Sequence, residues 1–157
     1  MEVRKYIFIN NTILFSTSIF FAHDYHFPLI NKAQKMSDFK KTLVIGASEN
    51  PERYSYLAVE RLQKQGHPVI ALGRKSGKIR DTNIVTEFPK EQPVDTVTIY
   101  VNPELQKQYI NDILLLHPKR LIFNPGTENE ELFDLAKANG IEPLEACTLV
   151  LLSTGQY

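Results

Sequence analysis

Thr42-Leu43-Val44-Ile45-Gly46-Ala47-Ser48 is a short apolar run of mostly β-branched residues that breaks at a glycine. A buried parallel strand leaving through such a turn can bring its backbone close to a phosphate. Downstream, Leu57, Ala58, Arg61 and Leu62 keep a helical spacing, which Gln65-Gly66 and His67-Pro68 close with a C-cap glycine and a proline. Val69-Ile70-Ala71-Leu72 reads as a second strand. It leads not to the carboxylate of an NAD site but to Gly73-Arg74-Lys75-Ser76-Gly77-Lys78, which suits an extra phosphate on a ribose.

Strand and helix patterns keep alternating towards the C-terminus, the signature of a mostly parallel sheet covered on both faces. Asn83 to Phe88 reads as a short edge strand in a helix-free connection, and Asp95 to Val101 as the strongest strand, stopping at Asn102-Pro103. A helix is expected from about Glu104 to Leu116, with Leu105, Tyr109, Ile113 and Leu116 on one face. Arg120 to Phe123 is the next strand and runs into Asn124-Pro125-Gly126-Thr127. Asn129 is a plausible N-cap for a helix carrying Leu132, Phe133, Leu135 and Ala136; Ile141 to Ala146 would be the last strand. The expected fold is therefore α/β: a Rossmann-like doubly wound sheet in a three-layer α/β/α arrangement. The strand order reverses between Thr42–Ile45 and Asp95–Val101, so Gly46-Ala47-Ser48 and Val101-Asn102-Pro103 become neighbours at the place where such folds bind ligands.

With 157 residues the chain suits one domain with a proper core, and its formal net charge of zero offers no global field for nucleic acid or an anionic membrane. An anion site has to be local. Cys147 is the single cysteine, which excludes an internal disulfide framework and a cysteine zinc cluster and is compatible with a cytoplasmic protein. Residues 1–35 read as an N-terminal extension. Arg4 and Lys5 precede an apolar run from Tyr6 to Ala22, as in a signal peptide or weak membrane anchor, but Asn10, Asn11, Thr12, Ser16, Thr17 and Ser18 interrupt it. The reading preferred is that Met36-Ser37 is the true start, upstream of a domain at residues 36–157.

G-x-G-x-x-G is absent, since Gly46 is followed by Ser48 and Pro51. The longer turn instead offers Arg53, Tyr54 and Ser55 before the helix proper, enough to hold a phosphate with one added positive charge. Arg74, Lys75 and Lys78 alone would read as a solvated run; their place after the second strand points to a ribose phosphate. His67 and His117 both precede proline on the side opposite this site and read as structural. Cys147, near the end of the last strand, reads as a small buried thiol. Glu128, Glu130 and Glu131 stand at a helix start, where acids suit the dipole. No Ser-His-Asp arrangement and no metal-ligand spacing is evident.

Three motifs together resemble the CoA-binding domain family, the small Rossmann-type proteins related to the nucleotide domain of the succinyl-CoA synthetase α subunit. They are G-A-S-x-x-P-x-R-Y-S at Gly46–Ser55, V-N-P at Val101–Pro103 and N-P-G-T-E at Asn124–Glu128, and the resemblance covers roughly Phe39 to Thr148. It implies that Gly46, Ala47 and Ser48 surround the CoA phosphates, with Arg53 and Ser55 beside them. Gly73, Arg74 and Lys75 would meet the ribose 3′-phosphate, Val101, Asn102 and Pro103 would pack near adenine or pantetheine, and Asn124 would contact the ligand. Many relatives carry glutamine-x-glycine where this chain has Asn124-Pro125-Gly126. The synthetase's phosphorylated histidine belongs to a second domain for which a chain ending at Tyr157 has no room, so ligase chemistry is not implied. The function expected is a cytoplasmic CoA or acyl-CoA binding protein without catalytic residues of its own. Two alternatives stand beside it. One is an NADP-linked enzyme or redox regulator. The other is a CoA-binding subunit of a partner enzyme or homo-oligomer, with Leu149-Val150-Leu151-Leu152 as its interface.

Overall fold

The computed structural model describes residues 39–157; the expectation of a leader, anchor or mis-set start at residues 1–35 lies outside them. Strands β1 (Thr42–Ile45), β2 (Val69–Leu72), β3 (Gly77–Ile79), β4 (Thr82–Val85), β5 (Thr96–Ile99), β6 (Arg120–Phe123) and β7 (Glu142–Glu145) form one sheet of order β3-β4-β2-β1-β5-β6-β7. All neighbours are parallel except β3, which pairs antiparallel with β4. β1 pairs with β2 on one side and β5 on the other, Ile45 lying level with Leu72 and Ile99. The chain winds outward from β1 in both directions, and the reversal falls where the sequence placed it.

Every residue of β1 and β5 is buried, as expected of strands covered on both faces. Leu43, Ile45, Val97, Ile99, Leu121 and Phe123 point to one face, where α3 (Ile110–Leu116) and α4 (Glu130–Ala138) cover them through Ile113, Leu132 and Ala136. Val44, Ala71 and Ile84 point to the other face, covered by α1 (Tyr54–Lys64) and α5 (Thr148–Thr154) through Val59, Leu62 and Leu152. Helix α5 thus consumes part of the apolar run that had been read as an interface: Leu152 is in the core, while Val150 is exposed.

Three sequence expectations need correction. Asn83–Phe88 is not the edge strand; β4 ends at Val85 and lies between β2 and β3, which is the edge. Lys78 belongs to β3 rather than to a loop. The helix expected over Glu104–Leu116 is split into α2 (Pro103–Gln106), a 3-10 turn (Lys107–Tyr109) and α3. That break falls between two anchors. Gln106 is buried and its Nε2 donates to the carbonyls of Val101 and Thr127, at 2.9 and 2.7 Å, while Ile113 enters the core. Leu105, assigned to the apolar face, is instead exposed.

Candidate functional site

At the carboxyl ends of β1, β2 and β5 lies a cleft of about 540 Å³, a size typical of small-molecule sites. Two glycines let the backbones converge there. Gly46 takes φ +96°, and a Cβ on it would lie 2.8 Å from Val101 Cγ1 and 3.1 Å from the Tyr100 carbonyl. A Cβ on Gly73 would lie 2.5 Å from the Ala47 carbonyl oxygen and 2.7 Å from Ile84 Cγ2. The N–H groups of Gly46 and Ala47 both donate to the Leu72 carbonyl at 2.9 Å, which joins the turn after β1 to the end of β2.

That turn folds on itself before α1 begins. Ser48 Oγ accepts from the Asn50 N–H at 3.2 Å, Asn50 Oδ1 accepts from Glu52 N–H at 2.9 Å, and the Arg53 N–H donates to the Asn50 carbonyl at 3.0 Å. Arg53 is the N-cap of α1 but supplies no side-chain cap, and no acid stands in the first turn. The N–H groups of Tyr54 and Ser55 consequently have no acceptor among the described residues. An uncapped, acid-free helix start carries the partial positive charge that favours an anion.

Of the residues singled out from the sequence, Gly46, Ala47, Ser48, Arg53 and Ser55 line the cleft. So do Gly73, Arg74, Lys75, Val101 and Asn102. Arg53, Arg74 and Lys75 are exposed and enter no salt bridge among the described residues, whereas Arg80, Lys90, Lys107 and Lys119 are each paired with a carboxylate. Asn102 also caps α2, its Oδ1 accepting from the Leu105 N–H at 2.9 Å. Pro103 and Asn124 do not line the cleft. Pro103 opens α2, where its missing N–H costs nothing. Asn124 is buried and makes three side-chain hydrogen bonds: Nδ2 donates to Thr98 Oγ1 at 2.7 Å and to the Ile99 carbonyl at 2.9 Å, and Oδ1 accepts from the Thr148 N–H at 2.9 Å. Its amide clamps β5, β6 and α5 together.

Sequence reasoning missed Glu49, Ile84, Tyr100, Leu105 and Tyr109, which also line the cleft, as does Tyr54 at the start of α1. Of the two residues expected on a core-facing helix stripe, Leu105 is exposed, while Tyr109 packs half-buried against the core and also borders the cleft. Tyr100 directly follows β5, and burial pushes its phenol well above its ordinary pKa, against smaller opposing effects of the Thr148 and Thr98 hydroxyls. Its buried hydroxyl has no partner in hydrogen-bonding geometry among the described residues.

His67 and His117 do not line the cleft. His67 precedes β2 at the amino end of the sheet, its Nδ1 accepting from the Lys40 N–H at 3.0 Å; His117 is the left-handed C-cap of α3 at φ 47°. Cys147 is a half-buried free thiol preceding α5. No cluster of His, Cys, Asp and Glu suited to a metal occurs among the described residues, and none of their helices is long and apolar enough to cross a membrane.

The cleft therefore grades from an anion-seeking turn and basic loop at β1 and β2 to the apolar side chains of Val101, Leu105 and Tyr109 after β5. The sequence pattern of the CoA binding domain matches residues 40–153. The chain belongs to the CoA binding domain family. A crystal structure described as an uncharacterized protein is 53% identical, covering 76% of this chain and 98% of its own, with a TM-score of 0.74. The cell-free ID.343 structure from Thermus thermophilus is 19% identical, covering 82% of this chain and 98% of its own, with a TM-score of 0.69. A hypothetical protein from Pyrococcus horikoshii OT3 is 18% identical, covering 87% and 98%, with a TM-score of 0.68. At these last two identities the likeness is one of fold. No curated protein matches.

Proposed function

We propose that this member of the family is a cytoplasmic binding module for coenzyme A or an acyl-CoA, with no catalytic machinery of its own. The observation that carries the proposal is the meeting, in one cleft, of an uncapped helix start with unpaired cations at the end of β2. The N–H groups at the start of α1, with Arg53 beside them, would take the diphosphate. Arg74 and Lys75 would pair with the ribose 3′-phosphate. Val101, Leu105 and Tyr109 offer the neutral pantetheine an apolar wall. When bound, coenzyme A supplies a thiol able to carry an acyl group; every protein group invoked here binds or orients it.

Isothermal calorimetry with CoA, dephospho-CoA and NADPH tests this. CoA should bind roughly tenfold or more tightly than dephospho-CoA, the span of one or two charge-assisted hydrogen bonds, and Arg74→Ala should remove most of that margin. Equal affinity for the two ligands would sink the role of the basic loop. Tight NADPH binding without CoA binding would favour the nicotinamide alternative, because a 2′-phosphate satisfies the same cations. Sizing and co-purification address a homo-oligomer or partner enzyme, for which the exposed Val150 of α5 is a marker position.

A further inference from the structure

Glu49 lies in the turn between β1 and α1, yet its carboxylate serves another element. Oε1 accepts from the backbone N–H of Lys78, the middle residue of β3, at 2.9 Å. Gly77, next to it, presses on the same group: an added Cβ would overlap Cγ, Cδ and Oε1 of Glu49. Gly77 does not adopt a left-handed conformation, so its missing side chain provides space rather than backbone freedom. β3 is an edge strand with a single partner, β4, and therefore has spare N–H groups that a side chain can capture. Between β2 and β3 run only Gly73, Arg74, Lys75 and Ser76, all lining the cleft. This short loop is fixed at one end by the Gly73 N–H donating to the Val85 carbonyl at 2.9 Å. Glu49 fixes the other.

A carboxylate beside cations that are to meet a phosphate is electrostatically adverse, since it partly cancels their charge. Its hydrogen bond to β3 gives a reason for it to be there. Resting on the CoA reading above, we propose that Glu49 is a positioning residue for the ribose-phosphate site. By tying the start of β3 to the phosphate turn, it holds Arg74 and Lys75 over the cleft and couples the two anion subsites. The bond, not the charge, is what matters: a neutral acceptor of the same shape serves as well.

Calorimetry on the full chain with CoA and dephospho-CoA separates the possibilities. Glu49→Gln keeps an acceptor and removes the charge, so it should retain the wild-type preference for CoA with affinity equal or higher. Glu49→Ala should reduce that preference from roughly tenfold to below about threefold, through weaker CoA binding with dephospho-CoA little changed. Gly77→Ala should do the same with little loss of stability, because its Cβ displaces only the end of a flexible side chain. Hydrogen exchange of the Lys78 amide in ligand-free protein reads the tether independently and should be faster in Glu49→Ala and Gly77→Ala than in the wild type or Glu49→Gln. An unchanged preference in Glu49→Ala, an equal loss in Glu49→Gln, or unchanged Lys78 exchange would each overturn the proposal. A wild type that binds CoA and dephospho-CoA equally would overturn the role of the basic loop and this positioning role with it, whereas one that binds neither would overturn the CoA reading itself; in both cases the exchange data would still report whether the tether exists.

Discussion

Asn124 shows how a single side chain can look like a ligand contact and behave as a bracket. Its three hydrogen bonds reach Thr98, Ile99 and Thr148, all of them within the buried interior. Replacing it leaves the Thr148 N–H without its acceptor and the Ile99 carbonyl with only the long 3.4 Å bond from Thr127 Oγ1, which exposes much of the desolvation cost of buried polar groups. Asn124→Ala should therefore lower unfolding stability by about 2–4 kcal/mol in urea titrations. CoA affinity of the folded variant should change by less than about threefold. A large affinity loss at little stability cost would mean that Asn124 contacts ligand after all. The sequence could not display this, because its partners stand 24 to 26 residues away along the chain, and a motif of adjacent residues carries no information about them. Gly46 is the opposite case. Its close approach to Val101 and Tyr100 was legible as a strand ending in glycine where the fold brings two strand ends together.

Among the elements, strands covered on both faces declared themselves as continuous apolar runs, and β1, β2 and β6 have the limits read from the sequence. The cap at Asn129 was equally legible, its Oδ1 accepting from the Leu132 N–H at 3.2 Å. β3 was not. It has three residues, only Ile79 of them apolar and buried, and it turns into β4 through Arg80 at φ 52° without an Asn-Gly signal. The element on which the proposed function rests is the start of α1, and it yields a prediction of opposite signs. Tyr54 is exposed in the first turn, where an acid should stabilise the helix by about 0.3–1 kcal/mol through its dipole. The same charge would compete with a ligand phosphate for the unbonded N–H groups. Tyr54→Glu should thus raise Tm while weakening CoA binding relative to Tyr54→Gln, which controls for loss of the ring. Parallel melting curves and calorimetry check it; equal CoA affinity in the two variants would remove the diphosphate from this helix start.

On the scale of the whole molecule, the sheet has two ends with different tasks. Loops at the carboxyl end diverge to make the cleft. The amino end is tied shut by Lys40, Thr42, His67, Arg120 and Tyr157. Tyr157 Oη and Thr42 Oγ1 share a hydrogen bond of 2.6 Å, and the Arg120 guanidinium lies 4.6 Å from the centre of the Tyr157 ring. His67 meets that ring edge-on. Burial, then the positive charges of Lys40 and Arg120, hold its pKa below the ordinary 6.5, with Asp95 opposing weakly. Between that lowered value and 6.5 the unfolded chain takes up a proton that the folded chain refuses, so stability falls as pH drops through this window. Protonation would also remove the acceptor that Nδ1 presents to the Lys40 N–H. Asp95 acts lower on the scale. Burial would raise its carboxyl, but hydrogen bonds from Lys119 and Thr96 outweigh it and keep the carboxyl below its usual range. The stability Asp95 adds is therefore lost only as pH falls below the ordinary carboxylate range. Thermal melts from about pH 7.5 to about pH 5 should show Tm declining below the ordinary histidine pKa in the wild type. The decline should be shallower in His67→Gln, which can still accept a hydrogen bond but cannot titrate. An identical slope in both proteins would assign the acid sensitivity to groups other than His67.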